Sequence, residues 1–442
     1  MSDWKAFALS EVSDIRISNV DKKSTAHEPT VLLCNYMDVY ANDYIKKDVE
    51  FMEATASAVE IEKFKVEQGD VLITKDSETP YDIGISTVVV DEIENLICGY
   101  HLALIKPNKS LVDSVFLAKQ LATAETASYF SRLAAGSTRY GLSNGAIART
   151  VIRAPSLLCQ QKIASILQTI DQAIEQTSAL IGKYQQIKAG LMHDLFTCGI
   201  GADGKLRPPR EQAPDLYQKT SIGWIPKGWK VLSINQLLQQ SILLDVQDGN
   251  HGGSHPKKAD FVPEGIPFIM ASDISEGQID AENCYRISEK QYKGLRIGFS
   301  KLGDVLLSHK ATIGLVAVVT NDSPEIMLTP QVTYFRLSGL ELTSEYLAAF
   351  FKSHAFQIPL KSLAQQSTRD YIGITAQKRL HIAYPEQLDE QSKIAQGLYS
   401  MENKLRKEKD YLQILRTEKA GLMHDLLTGK VQVTPSPEAV HG

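Results

Sequence analysis

The six residues GLMHDL occur twice in the chain, at 190–195 and at 421–426, 231 positions apart (421 − 190). No other feature constrains the fold as tightly, because this match is the end of a longer correspondence. Ser137-Thr138-Arg139 recurs as Ser367-Thr368-Arg369, and Pro155 recurs as Pro385. Lys162-Ile163-Ala164 recurs as Lys393-Ile394-Ala395, GDVL at 69–72 recurs at 303–306, and Trp4-Lys5 answers Trp229-Lys230. The offset drifts by a few residues, as insertions in surface loops produce. The chain therefore reads as two tandem copies of one unit, and a repeat of this size governs every local assignment.

Each copy has two parts. The first is a module of mixed character with β-rich runs such as 70–74, 86–90 and 314–320, punctuated by Gly, Asn, Asp and Pro. The second is a proline-free stretch rich in Gln, Lys, Leu and Ala, which predicts a long helix. Ile163, Leu167, Ile170, Ile174, Ile181 and Leu191 fall on an a/d seam with steps of four and three. Adding 231 gives Ile394, Leu398, Met401, Leu405, Leu412 and Leu422, so the seam survives the shift. Its polar interruptions coincide too, Thr177 with Glu408 and Lys188 with Lys419.

A helix of roughly 40 residues is ~60 Å long, and one apolar stripe does not stabilise it alone. The economical partner for each seam is the other seam. Equivalent faces pairing about a pseudo-twofold axis make the helices antiparallel, with one module at each end. The expected fold is α/β (α+β): two mixed modules joined by two long helices that form an antiparallel coiled coil. The expected boundaries are a first module over 1–155, a helix over 156–197, a linker over 198–220, a second module over 221–385, a helix over 386–428 and a tail over 429–442.

Composition narrows the function classes. The chain is 43% hydrophobic and 22% charged, and no apolar run approaches the ~20 residues of a membrane helix. Five cysteines without CxxC spacing predict reduced thiols and a cytoplasmic setting rather than a structural zinc site. A net charge of −5 weighs against a non-specific nucleic-acid coat, though not against a reader with its cations on one surface. The His-Asp of GLMHDL has no nucleophile beside it and would have to act identically at two remote places, so the motif is read as a structural join. Gly190 and Gly421 each cost about 1 kcal/mol against alanine inside a helix, which predicts close packing at both. The segment 199–205 fits GxxxxGK, but Leu206 stands where a P-loop has Ser or Thr, and a helix precedes it.

Two non-identical modules on a spacer suit a bipartite, asymmetric DNA site. Here the chain resembles the specificity subunits of type I restriction–modification systems, over nearly its full length. The resemblance rests on the alternation of modules with repeated helices, on the helix ends GLMHDLFT and GLMHDLLTGKV, and on IGWIPKGW at 222–229. CNYMDVYANDYI at 34–45 and IPFIMASDISEGQID at 266–280 are similar to the family's recognition-domain openings. The resemblance implies a non-catalytic reader of double-stranded DNA on which two modification subunits dock to methylate adenine with S-adenosylmethionine. Restriction subunits using ATP and Mg would add translocation and cleavage. No cofactor or metal is expected on this chain, and no membrane partner.

Candidate DNA contacts follow from residue types that address phosphates and base edges. The first are the repeated loops with Ser137, Thr138, Arg139 and Tyr140, and with Ser367, Thr368, Arg369 and Tyr371. The second is the Gly- and His-containing loop with Asn250, His251, Gly252, His255, Lys257 and Lys258. The third is Lys75 with its counterpart His309-Lys310, just past the GDVL strands. The alternative is a coiled-coil scaffold joining two protein-binding modules without DNA recognition. It leaves unexplained why hydroxyls and an arginine recur together in equivalent loops.

Overall fold

The computed structural model describes residues 4–22, 24–252, 255–321, 325–365 and 371–434. It divides into two compact units, one from residues 1–178 and 410–442, the other from residues 179–409. The two units are built alike.

In the first unit, Lys5–Ala8 pairs antiparallel with Val151–Ala154 and closes the module's ends. A five-stranded sheet runs in the order Ser13–Ile17, Leu102–Pro107, Val71–Thr74, Ser86–Val89, Tyr44–Ile45. A three-stranded sheet places Thr30–Cys34 between Met52–Thr55 and Leu96–Cys98. The GDVL strand explains why two layers form. Val71 and Ile73 point into one core with Phe116 and Leu117, while Leu72 points into another with Leu33 and Ile97. Successive side chains leave a strand on opposite faces, so an unbroken apolar run needs cover on both.

The second unit repeats this. Trp229–Ser233 pairs with His381–Pro385, and a four-stranded sheet runs Leu243–Asp248, Val332–Leu337, Val305–Ser308, Val316–Val318. Phe261–Ile269 lies between Arg286–Ile287 and Met327–Leu328. Val305 and Leu307 face one core with Phe350 and Phe351, and Leu306 faces another with Ile269 and Leu328. The repeated Gly-Asp is structural. Gly69 and Gly303 sit at φ 91° and 83°, a region glycine enters without a Cβ penalty. Asp70 then binds Lys106 at 2.6 Å, and Asp304 binds Arg336 through two bonds of 2.9 and 2.7 Å.

The long helices are Leu157–Thr197 and Leu388–Leu427, and each unit contains one half of both. Within each unit the halves run antiparallel. In the first unit, Ile163 and Leu167 share a core with Leu426 and Leu427, while further along Asp171 meets Lys419. In the second, Lys188 meets Glu402, while Leu195 lies against Gly397. Ile163, Leu167, Ile181, Ile394, Leu398, Leu405 and Leu412 are buried. Ile170, Ile174, Leu191, Met401 and Leu422 are half-buried.

Two expectations about the helices are corrected. The outer seam positions do not have only the other seam as partner. Ile163, Leu167 and Leu426 belong to the first module's core, and Ile394, Leu398 and Leu195 to the second's, because each helix end doubles as a wall of a module. Gly190 and Gly421 are not close-packing positions either. A Cβ built on either one meets no atom within 4 Å, so both glycines lie on an open face. Of the GLMHDL letters, Leu191, Met192 and Leu195, and likewise Leu422, Met423 and Leu426, pack on the cores. His193 and His424 are exposed.

The lysines that interrupt the seam have matched roles. Lys419 reaches Asp171 at 2.7 Å, joined there by Lys119 at 2.8 Å and the Tyr44 hydroxyl at 2.7 Å. Lys188 reaches Glu402 at 2.8 Å, joined by Lys352 at 2.9 Å. Both carboxylates thus collect one lysine from the opposite helix and one from a module. Lys119 and Lys419 also bind Asp43 at 2.9 and 2.8 Å. Burial alone would raise the Asp43 pKa, but the two ammonium groups outweigh it and hold the carboxyl at about 2. Glu402 is likewise lowered, its burial outweighed by Lys352 and Lys188.

Gln160 and Gln391 tie helix starts to modules in the same way. Gln160 Nε2 donates to the carbonyls of Leu111 and Pro155, and its Oε1 accepts from the Asp113 amide. Gln391 does the same with Glu341, Pro385 and Thr343. The symmetry breaks at Glu390, whose carboxylate accepts from Arg207 at 2.5 and 2.8 Å, from the Trp229 indole at 3.0 Å and from the Ile200 amide at 2.9 Å. That cluster anchors the segment after the first long helix onto the second module.

Candidate nucleic-acid interface

The GDVL strands deliver their following residue to the same place in both modules. In the first, the Leu142 amide donates to the Lys75 carbonyl at 2.8 Å. In the second, the Ile372 amide donates to the His309 carbonyl at 3.0 Å. Leu142 lies just past the first module's candidate loop and Ile372 directly follows Tyr371, so the ends of these segments meet the residues just past the GDVL strands.

The first-module loop is a closed excursion. Ala135 and Gly141 exchange backbone hydrogen bonds at 3.1 and 3.0 Å, and residues 136–140 project between them. Gly136 begins the excursion at φ 149°, where a Cβ would lie 1.9 Å from the Arg139 carbonyl oxygen. Ser137, Thr138 and Arg139 are exposed, and Tyr140 is half-buried against Ser77 through backbone pairing. Lys75 does not extend freely. Its ammonium lies 2.7 Å from Asp76 and 5.2 Å from the Tyr100 ring centre. Asp76 also binds His101 at 2.6 Å. Its burial would raise its pKa, but Lys75 and His101 outweigh that and lower it.

Sequence reasoning passed over the aromatics around this turn. Tyr36 and Tyr40 stack with ring centres 5.6 Å apart on the short helix Tyr36–Ala41. Tyr40, Tyr81 and Tyr100 are exposed. The i,i+4 tyrosines were a usable signal. The approach of Tyr100 to Lys75 was not, because it depends on sheet register.

In the second module, Ser367, Thr368 and Arg369 lie outside the described residues. Tyr371 is exposed, and it bridges Lys310 through the backbone. His309 is only 1% exposed and offers no surface of its own. Its Nδ1 stands 3.0 Å from the Ile372 carbonyl oxygen, which can only accept, so Nδ1 carries the proton. Nε2 faces Asp248 Oδ1 at 3.5 Å, and that oxygen accepts from Thr333 at 2.7 Å. Burial lowers the His309 pKa, against the opposing pull of Asp248.

The Gly- and His-containing loop grows from the same strand end. Asn250 is buried, its amide donating to the Leu328 carbonyl at 2.8 Å. Gly249 packs where a Cβ would lie 2.0 Å from the Thr329 carbonyl oxygen. His251 bonds the Gly249 carbonyl, and His255 bonds that of Asn250 and lies 5.6 Å from the Phe268 ring. Gly252, Lys257 and Lys258 are exposed. The loop and His309 therefore share Asp248 as a common base, while Lys257 and Lys258 extend from it to solvent.

With this geometry in place, the relationship to known proteins is decisive. A family model for the type I restriction modification DNA specificity domain matches residues 1–184 and again residues 226–415. The chain belongs to this family. The MjaVIII type I specificity subunit of Methanocaldococcus jannaschii is 23% identical over 435 residues, covering 95% of this chain and 92% of the relative. The EcoBI specificity subunit of Escherichia coli is 23% identical over 188 residues, covering 41% of this chain and 37% of the relative. Among solved structures, the type I S subunit from M. genitalium superposes with a TM-score of 0.61 at 14% identity, covering 96% of both chains. A chain from a study of type I R-M complex assembly and conformational transition gives 0.52 at 15%, covering 98% of this chain and 99% of that one. The tandem fold of this specificity subunit is thus shared at low identity. Among the described residues, no helix is long and apolar enough to cross a membrane.

Proposed function

We propose that each module reads one half of a bipartite, asymmetric DNA site and that the paired helices set the unread spacer between the halves. The observation that carries this reading is the equivalence of the two loop attachments, Leu142 on Lys75 and Ile372 on His309. The same scaffold presents two chemically different edges, and a split site with unlike halves requires that. The exposed Ser137, Thr138 and Arg139, and the loop lysines Lys257 and Lys258, supply donors for base edges and phosphates.

Catalysis belongs to partners in this reading. Two modification subunits would methylate adenine with S-adenosylmethionine, and restriction subunits would supply ATP- and Mg-dependent cleavage, in the cytoplasm. With a net charge of −5, the chain alone should bind DNA weakly and with strong salt dependence, its partners providing most phosphate neutralisation. The test is co-expression with the cognate modification subunit, followed by mapping of every methyladenine in the host genome. A split asymmetric motif that disappears when this chain is omitted supports the reading. A stable complex that methylates no motif overturns it.

A further inference from the structure

We infer that His309 is a positioning residue for the Tyr371-Ile372 end of the second module's candidate loop, and that through this hold the residue determines specificity at one half-site only. The second clause rests on the function proposed above; the first does not.

One residue grips another at both ends. The His309 carbonyl accepts from the Ile372 amide, and His309 Nδ1 donates to the Ile372 carbonyl, each at 3.0 Å. This two-point clamp fixes the peptide next to Tyr371, whose exposed ring lies with its centre 5.5 Å from that of the imidazole. Gln377 Nε2 also donates to the Ile372 carbonyl at 3.0 Å, so the clamp has one auxiliary hold.

The polar foundation is peculiar to this module. Strand register pairs Asp248 with Thr333, and Ile17 with Ala103 at the corresponding place in the first module. The fold therefore tolerates apolar residues there. A buried acid instead needs a hydrogen-bonding partner to offset its desolvation; Asp248 accepts from Thr333 at 2.7 Å, while His309 Nε2 stands 3.5 Å away and makes no hydrogen bond. In the first module, Lys75 stands where His309 does, and its charge pairs with Asp76 without reaching Leu142. Around the imidazole, the charged or titratable groups are Asp248 from the preceding strand, Lys310 beside it and Tyr371 from the loop. Packing does not require this arrangement, but holding the Ile372 peptide in one pose does.

The test compares His309→Ala with His309→Asn in the full-length chain, the asparagine amide standing where Nδ1 stands. Hydrogen exchange is followed at residues 371–377 and, as control, at 136–142. The expected result is about a tenfold faster exchange at 371–373 in His309→Ala, the scale of one lost buried hydrogen bond. His309→Asn should restore most of the protection, and the control segment should not change. Equal exchange in wild type and His309→Ala would overturn the clamp. The same variants then enter the methyladenine map, where His309→Ala should relax the motif in one half and leave the other intact. Faster exchange with both halves unaltered refutes the specificity role. A wild type that methylates no motif refutes the DNA reading, while the exchange result still decides the clamp.

Discussion

Asp171→Ala removes the acceptor at the centre of the first unit's ionic cluster. The carboxylate takes hydrogen bonds from Lys119, Lys419 and Tyr44, all within 2.8 Å. The Lys119 side chain is 5% exposed, and its remaining acid, Asp43, is 54% exposed. Breaking a buried pair by removing one partner leaves an uncompensated charge, typically about 3–5 kcal/mol. We expect Asp171→Ala to lose roughly that much, read as a lowered urea midpoint in the full-length chain. Hydrogen exchange should place the loosening in residues 410–427. Replacing the three linked charges (Asp171→Leu with Lys119→Met and Lys419→Met) removes their desolvation penalty together with their attraction, leaves Asp43 to solvent and Tyr44 without its acceptor, and should cost less than Asp171→Ala alone. Glu402→Ala should cost less than Asp171→Ala, because Lys188 and Lys352 are 29% and 23% exposed and water can reach them. A loss under about 1 kcal/mol for Asp171→Ala, or a triple variant less stable than the single, would refute the reasoning.

Asp43 carries a depressed pKa of about 2. Its contribution should therefore be full above the unfolded value of ~3.9 and lost as pH falls through about 2. Comparing Asp43→Asn with wild type across that window checks it, and a difference persisting below pH ~2 contradicts it. Gly190→Ala and Gly421→Ala should each stabilise by up to about 1 kcal/mol, since the new methyl meets open space; thermal melts of both variants decide. Inserting one matched heptad into each long helix adds ~10.5 Å. In a methylation map the spacer should grow by about three base pairs at ~3.4 Å each, with both half-sites unchanged. Changed half-sites with a constant spacer would remove the helices' role as a ruler.

The tandem architecture was legible because the chain repeats letters as well as pattern. Heptad steps gave the seam, and the shared interruptions at Lys188 and Lys419 marked positions with a purpose. What the steps did not give was the division of each seam between the opposite helix and a module. An a-position leucine looks the same whether its cover is Leu426 or Phe116. Gln160 and Gln391 were findable, since a glutamine kept at one offset inside a helix start implies a fixed partner. Lys75 and His309-Lys310 were legible as the residues just past the GDVL strands, but the burial of His309 was not visible. It depends on Ile372 and Asp248, which lie 63 and 61 positions away in sequence (372 − 309, 309 − 248) and meet it only through sheet register.

The division of the long helices between units also orders events in time. Residues 179–409 form the second unit from one uninterrupted segment, whereas the first unit needs residues 410–427 to complete its helix pair. At synthesis rates of ~5–20 residues per second, the first module waits roughly 10–50 s on the ribosome with Ile163, Leu167 and Asp171 lacking their partners from the second helix. The later half of the protein can close before the earlier half does, and the last turns of the second helix act as the final latch. A chain released short of those turns has its second unit intact and its first unfinished, and so fails at one half of a two-part task.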